Sequence, residues 1–233
     1  MAKLITWNCN MAFRKKKDRI LQYDPDIIVI QECENPDTNG DWSEFTDWRW
    51  IGENKHKGLG VFSRNGLSLQ PTGVDGQGGE LTIPVKTDGA GKVLGVWALN
   101  DKRNPQNRYI GQVYRTVRAF REFIDANTAL LGDFNWNRPW DDSPKSPLCG
   151  DFSDTVDLLN SRGLKSVYHS LNDSDFGSEA DPTFFMHKKQ DRDYHIDYVF
   201  LPKTVIESVT SFSVGKYDDW IDGSDHMPIV VEL

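Results

Sequence analysis

The 233 residues contain three cysteines, Cys9, Cys33 and Cys149, an odd set without the spacing of a disulfide framework or a zinc motif. No apolar run approaches the roughly 20 residues that a membrane-spanning helix needs, so no membrane anchor is expected. Met1-Ala2-Lys3 leads straight into an apolar segment, with none of the marks of a secretory leader. A cytoplasmic protein in a reducing compartment is the expectation. Positive charge is also in short supply: 27 Lys and Arg against 35 Asp and Glu leave a net charge of -8, which argues against strong non-specific binding to duplex nucleic acid. A phosphate substrate remains open, because metal-ligand carboxylates carry part of such a charge and a bound cation reverses it locally. Internal repeats, linkers and low-complexity tracts are absent too, and the length suits one well-buried domain over residues 1–233.

What the chain does have is a 38% hydrophobic fraction mixed with charges of both signs, the composition of a globular fold. Short apolar runs bounded by turn residues predict strands at Leu4 to Asn8, Ile27 to Gln31, Leu59 to Ser63, Leu81 to Lys86 and Val93 to Leu99. Further runs lie at Thr128 to Leu131, Ile196 to Leu201, Ser211 to Val214 and Ile229 to Leu233. Ile110, Val113, Val117, Phe120 and Ile124 recur at helical spacing and predict an amphipathic helix over roughly Gln106 to Asn127. A shorter helix is expected from Asp154 to Arg162, with Ser153 as N-cap and Gly163 as its stop. Lys15 to Tyr23 reads as the helix after the first strand, closed by Asp24-Pro25. Its Arg14-Lys15-Lys16-Lys17 run fits a solvated face better than a contact with an anionic substrate. Many strands and few helices point to two packed sheets with helices outside.

Five of the apolar runs end at, or adjoin, polar clusters: Asn8-Cys9-Asn10, Gln31-Glu32, Gly132-Asp133-Phe134-Asn135, the His195-Ile196-Asp197 segment and Ser224-Asp225-His226. Taken singly, most have an ordinary reading. Asn8 and Asn10 suit a turn, His195 a structural imidazole, and Ser224 to His226 a surface loop. Glu32 is harder to dismiss, since a strand that buries four apolar residues gains nothing from a terminal charge without a cation or donor beside it. Gly132-Asp133-Phe134-Asn135 allows a sharp turn presenting carboxylate and amide together. Alternation puts His195 and Asp197 on one strand face.

Together, and in this order, the clusters resemble those of the endonuclease/exonuclease/phosphatase superfamily of magnesium-dependent phosphoesterases, over essentially the whole span from Asn8 to His226. The resemblance implies an α+β fold, a four-layer α/β/β/α sandwich of two packed mixed sheets flanked by helices. It implies Glu32, Asp225 and Asn10 as ligands of Mg²⁺ or Mn²⁺, with Asn8 beside them on the phosphate. It gives Asp133 the attacking water, Asn135 the phosphate or nucleophile, His226 a non-bridging phosphate oxygen, and Asp197 the other imidazole N–H. Ser224 supports its loop.

The pattern departs from the family at one strand end. Most branches carry a His there and the AP endonucleases a Tyr nearby, whereas this chain reads Val96-Trp97-Ala98-Leu99-Asn100-Asp101, leaving Trp97 or Asn100 for that space. Pro182-Thr183-Phe184-Phe185 with Tyr194 resembles the aromatic walls of AP endonucleases, although core packing explains such residues as well. The same holds for Trp136 and Trp140, and for Trp42, Trp48 and Trp50. The expected activity is a phosphodiesterase or nuclease on nucleic acid or a nucleotide-like substrate, acting as a monomer. The rivals are a phosphomonoesterase on inositol phosphates or other small phosphates, and a non-catalytic binding module keeping the fold.

Overall fold

The computed structural model describes residues 2–38, 40–73, 81–89 and 91–233. In chain order its strands are β1 (Lys3–Asn8), β2 (Ile27–Cys33), β3 (Asp47–Asn54), β4 (Lys57–Ser63), β5 (Leu69–Pro71), β6 (Thr82–Thr87) and β7 (Gly91–Trp97). They continue with β8 (Thr128–Asp133), β9 (Leu164–Ser166), β10 (Phe184–Phe185), β11 (Asp193–Tyr194), β12 (Asp197–Pro202), β13 (Ser211–Val214) and β14 (Ile229–Glu232). The main helices are α1 (Lys17–Leu21), α2 (Ile110–Ala119), α3 (Phe152–Ser161) and α4 (Val167–Asn172). Two six-stranded sheets result, ordered β13-β14-β1-β2-β4-β3 and β5-β6-β7-β8-β12-β9, with β10 and β11 as a separate ribbon.

The apolar runs are continuous because the central strands are buried on both faces. In β2, Ile27 and Val29 enter the core between the sheets, while Ile28 and Ile30 face the outer layer with Phe13 and Ile20. In β8, Leu131 points inward and Leu130 outward onto Val113, Val117 and Phe152 of α2 and α3. Two sheets face to face with helical layers outside make the expected four-layer sandwich.

Strand direction brings the polar ends together. β1 and β2 are parallel, β7 and β8 are parallel, and β12 and β14 run opposite to their neighbours. The C-terminal ends of the first four and the N-terminal ends of the last two therefore gather at one end of the sandwich.

Several local expectations are corrected. The long helix is in fact a 3₁₀ turn at Pro105–Asn107 followed by α2, because Tyr109 takes φ 48° and breaks the helical path. The predicted apolar positions from Ile110 to Ile124 are nonetheless all buried. α3 starts two residues early, at Phe152, because Asp151 rather than Ser153 is the N-cap and forms a capping box with Asp154. The helix after β1 splits into a 3₁₀ turn, Phe13–Lys15, and α1. Of its basic run only Lys15 is exposed: Arg14 pairs with Glu34 at 2.7 Å and Lys17 with Glu44 at 2.6 Å. Lys16 donates to the carbonyls of Cys9, Asn10 and Gly223 at 2.7, 3.1 and 2.6 Å, and burial lowers its pKa.

Gly132 serves close approach rather than a turn. It lies inside β8 with φ 151°, and a Cβ there would stand 1.9 Å from the Val96 carbonyl oxygen of β7. Gly132→Ala is expected to destabilise the fold by about 3 kcal/mol or more, read from urea unfolding; a loss below about 1 kcal/mol would contradict this packing.

Candidate active site

At that end of the sandwich the two sheets are joined by hydrogen bonds between polar side chains. Asn8, at the end of β1, donates its Nδ2 to Asp133 Oδ2 at 3.0 Å and more weakly to Glu32 Oε1 at 3.5 Å. Its Oδ1 accepts the Asn10 backbone N–H at 3.1 Å. Asp133 and Asp197 are Cα partners in the β8 and β12 pairing. His226, on the loop before β14, donates from Nδ1 to Asp197 Oδ2 at 2.9 Å. Asp133, Asp197 and His226 each offer a ligand-type atom within 4.8 Å of the others, and all three are buried.

Burial, followed by the charge of Asp197, pushes the Asp133 carboxyl up to about 7. For His226, burial by itself would lower the pKa, but Asp197 and then Asp133 outweigh it and raise the value to about 10. The imidazole is therefore held as a cation between two carboxylates. The trio is a tight carboxylate–imidazole–carboxylate cluster suited to moving or holding a proton, and its ligand-type atoms are also close enough together to hold a metal ion. Asp197 Oδ1, buried and without a partner among the described residues, remains available to the site.

The backbone aims these groups by local departures from regular geometry. Glu32 has φ 61° where the pairing of β2 with β4 shifts register between Gln31 and Cys33. Asn10 and Asn135 take φ 50° and 53°, which amide side chains tolerate better than most. Asn10 donates its Nδ2 to Asp225 Oδ1 at 3.0 Å. The Asn135 backbone N–H donates to Asp133 Oδ1 at 2.7 Å, and its Nδ2 to the Ala98 carbonyl at 3.3 Å. Ser224 Oγ donates to the Asn8 carbonyl at 2.7 Å and accepts the His226 N–H at 3.0 Å, tying the last loop to the first strand.

The sequence-predicted residues thus differ in their exposure. Asn8, Asp133, Asp197 and His226 form the buried group, with Asn135 half-buried beside Asp133. More open to solvent are two further sets of oxygen donors: Asn10 paired with Asp225, and Glu32 held by Asn8 on one side and Lys57 on the other. Such oxygen donors suit a hard divalent cation.

His195 is not part of these groups. It does not share a strand face with Asp197, because β11 ends at Tyr194 and β12 starts only at Asp197. Thr183 explains the break: its Oγ1 accepts the N–H groups of both Ile196 and Asp197, at 2.9 and 3.0 Å. His195 turns away to donate to the Asp181 carbonyl at 2.8 Å and to pack on Tyr168. Burial lowers its pKa.

Sequence reasoning missed Lys57, and noted Lys16 and Thr183 only within runs read for other reasons. Each acts through contacts with residues distant in sequence, and none carries a local signal. At the strand end that lacks the expected His, Trp97 is a buried ring in register with Asp133, while Asn100 is exposed. Trp42 belongs to an aromatic core with Phe13, Phe45 and Phe62. Trp48 and Trp50 lie on β3 and donate their indole N–H groups to Asp37 and to the Cys33 carbonyl. A groove of about 580 Å³ lies between α2 and α3, with Arg115, Arg118, Arg121 and Arg162 among its lining residues. No carboxylate or imidazole is among its lining residues.

The sequence matches a family model described as Endonuclease/Exonuclease/phosphatase family over residues 5–226. No curated protein sequence matches the chain. Among solved structures, a 3′ phosphatase from Neisseria bound to a product DNA hairpin superposes with TM-score 0.71 at 19% identity, covering 100% of this chain and 99% of that one. An AP endonuclease from Archaeoglobus fulgidus gives TM-score 0.74 at 17% identity, with the same coverages of 100% and 99%. An AP endonuclease from Leishmania major gives 0.69 at 14% identity, covering 99% of this chain and 86% of that one. At such identities the likeness is one of fold.

The pairing of His226 sets a pH dependence. Its folded pKa of about 10 exceeds the ordinary 6.5, so its stabilising contribution is complete below 6.5 and is lost as pH rises through about 10. Metal-free protein should therefore lose unfolding free energy between those two values. Asp197→Asn should flatten that slope and move the His226 imidazole titration, followed by NMR, back toward neutral. An unmoved titration would contradict the pairing.

Proposed function

The chain belongs to the endonuclease/exonuclease/phosphatase family, and from that membership we propose a divalent-metal-dependent phosphodiesterase that acts on nucleic acid or a nucleotide-like substrate. The observation that carries this reading is the buried Asp133, Asp197 and His226 group, joined through Asn8 to Glu32. Hydrolysis of a phosphoester needs an aligned water, relief of charge on the phosphoryl oxygens and help for the leaving oxygen. With its carboxyl raised to about 7, Asp133 is poised to take a proton from water near neutral pH. The Asn135 N–H bond to Oδ1 and the Asn8 amide on Oδ2 fix its orientation. His226, cationic and oriented by Asp197, faces a non-bridging phosphate oxygen, with the Asn8 and Asn135 amides as further donors.

Glu32, Asp225 and Asn10 would hold the cation, Mg²⁺ or Mn²⁺. The fit rests on their donor set: oxygen ligands, partly open to solvent, next to but separate from the imidazolium group. A divalent ion there supplies Lewis-acid relief of phosphoryl charge. Among the described residues no helix is long and apolar enough to cross a membrane. A cytoplasmic monomer is part of the same proposal, and the three free thiols accord with a reducing compartment.

The nucleic-acid reading draws on a line of rings that ends on the imidazole. Phe184 lies 4.7 Å from His226, Tyr194 6.4 Å from Phe184, Trp140 5.1 Å from Tyr194 and Trp136 5.6 Å from Trp140, centroid to centroid. Phe184, Tyr194 and Trp140 are partly exposed, as a surface for stacking bases or sugars requires. The similar structures described as AP endonuclease and DNA-bound 3′ phosphatase support the same substrate class.

Asp133→Asn and His226→Ala should each lower Mn²⁺-dependent hydrolysis of bis-p-nitrophenyl phosphate by about 10²-fold or more, and full activity in both would refute the assignment. A clear preference for p-nitrophenyl phosphate over the diester would favour the monoesterase instead. Trp140→Ala should raise KM for a single-stranded oligonucleotide about tenfold, with little change for the small diester; equal effects on both would remove the stacking surface from the argument.

A further inference from the structure

Glu32, the carboxylate assigned above to the metal, already has a cation on it. Lys57 Nζ lies 3.0 Å from Glu32 Oε2, with the two side chains 40% and 19% exposed. The same ammonium stands 5.3 Å from the centroid of the Trp97 ring, and Trp97 is the Cα partner of Asp133. Lys57 therefore reaches from the start of β4 across the face of Trp97 into the mouth of the site.

A surface ion pair of no consequence is the simplest alternative, since such pairs contribute about 1 kcal/mol or less. Two features weigh against it. Glu32 is turned out of the ladder at φ 61° by the register shift in β2, a backbone conformation that costs free energy for a residue that is neither Gly nor Asn. Its two oxygens are then shared between the Lys57 ammonium and the Asn8 amide. The strained carboxylate is thus held ready by a group that can move: a lysine has a flexible four-carbon stem and three donors, and an aromatic face is a resting place for its charge.

We propose that Lys57 is a positioning residue of the metal site, a resident counter-cation that holds Glu32 in place, competes with the divalent ion for it, and on displacement remains over Trp97 facing the phosphate of the substrate. A divalent ion on Glu32 would draw on the same carboxylate charge that the ammonium now neutralises, so the two cations would compete for it. This inference rests on the reading of Glu32 as a ligand.

The test is Mn²⁺ binding to the substrate-free protein, followed by calorimetry and by electron paramagnetic resonance of the free ion. Lys57→Met should bind Mn²⁺ about fivefold more tightly than wild type. Lys57→Arg keeps the charge but offers a planar fork to the carboxylate, so it should bind Mn²⁺ severalfold less tightly. Lys55→Met removes the same charge from the neighbouring turn without touching Glu32, and should change affinity by less than about twofold. At saturating Mn²⁺, Lys57→Met should raise KM for bis-p-nitrophenyl phosphate about fivefold, with kcat little changed.

Unchanged or weaker Mn²⁺ binding by Lys57→Met, or an equal gain from Lys55→Met, overturns the role of Lys57 and leaves Glu32 as a ligand untouched. A wild-type chain that takes up no Mn²⁺ overturns both readings.

Discussion

Two hydrogen bonds across the seam between the sheets hold the site together: Asn8 to Asp133 and His226 to Asp197. Each links a residue of the first sheet or its loops to one of the second, inside a region from which water is largely excluded. There an unpaired carboxylate or imidazolium would cost several kcal/mol, so the sheets cannot slide past one another without exposing or stranding a charge. The apolar core between them fixes their separation, and these bonds fix their register at one end.

The rest of the site elaborates that seam. Lys16 gathers the carbonyls of the Asn10 loop and of Gly223, and Ser224 fastens the same loop to the end of β1. Thr183 caps the N–H groups that lead into Asp197, and the ribbon containing Phe184 pairs with the His226 segment through a single bridge. Asn10, Glu32 and Asn135 all take left-handed φ at polar strand ends. Such conformations persist only where surrounding packing over-determines the chain, and here the packing is that of the two central strand pairs.

Strand positions and the apolar faces of the helices were legible because burial on one or both faces leaves a period in the sequence. Ile27 to Ile30 and Leu130 to Leu131 are examples, and Ile110 to Ile124 kept its buried positions even where the helix itself was cut short. Helix limits were less legible: a conformation such as Tyr109 at φ 48°, or the choice of Asp151 over Ser153 as cap, depends on contacts outside the local window. β3 was missed because this edge strand is half-buried or exposed without alternation, and the two-residue ribbon strands because they are too brief to show a period.

The sequence by itself determined the alternation of apolar strands with polar ends, the overall two-sheet class and the identity of the groups from Asn8 to His226. Those properties are local, written in residue type and spacing. Only tertiary structure decided that Asn8 bonds Asp133 across 125 positions, that His195 turns away while Asp197 turns in, and that Lys57 rather than solvent meets Glu32. Such choices follow from burial and from distances between strands remote in sequence, and so do the pKa values of Asp133 and His226. A charge acquires its chemistry from the neighbours that the fold brings to it.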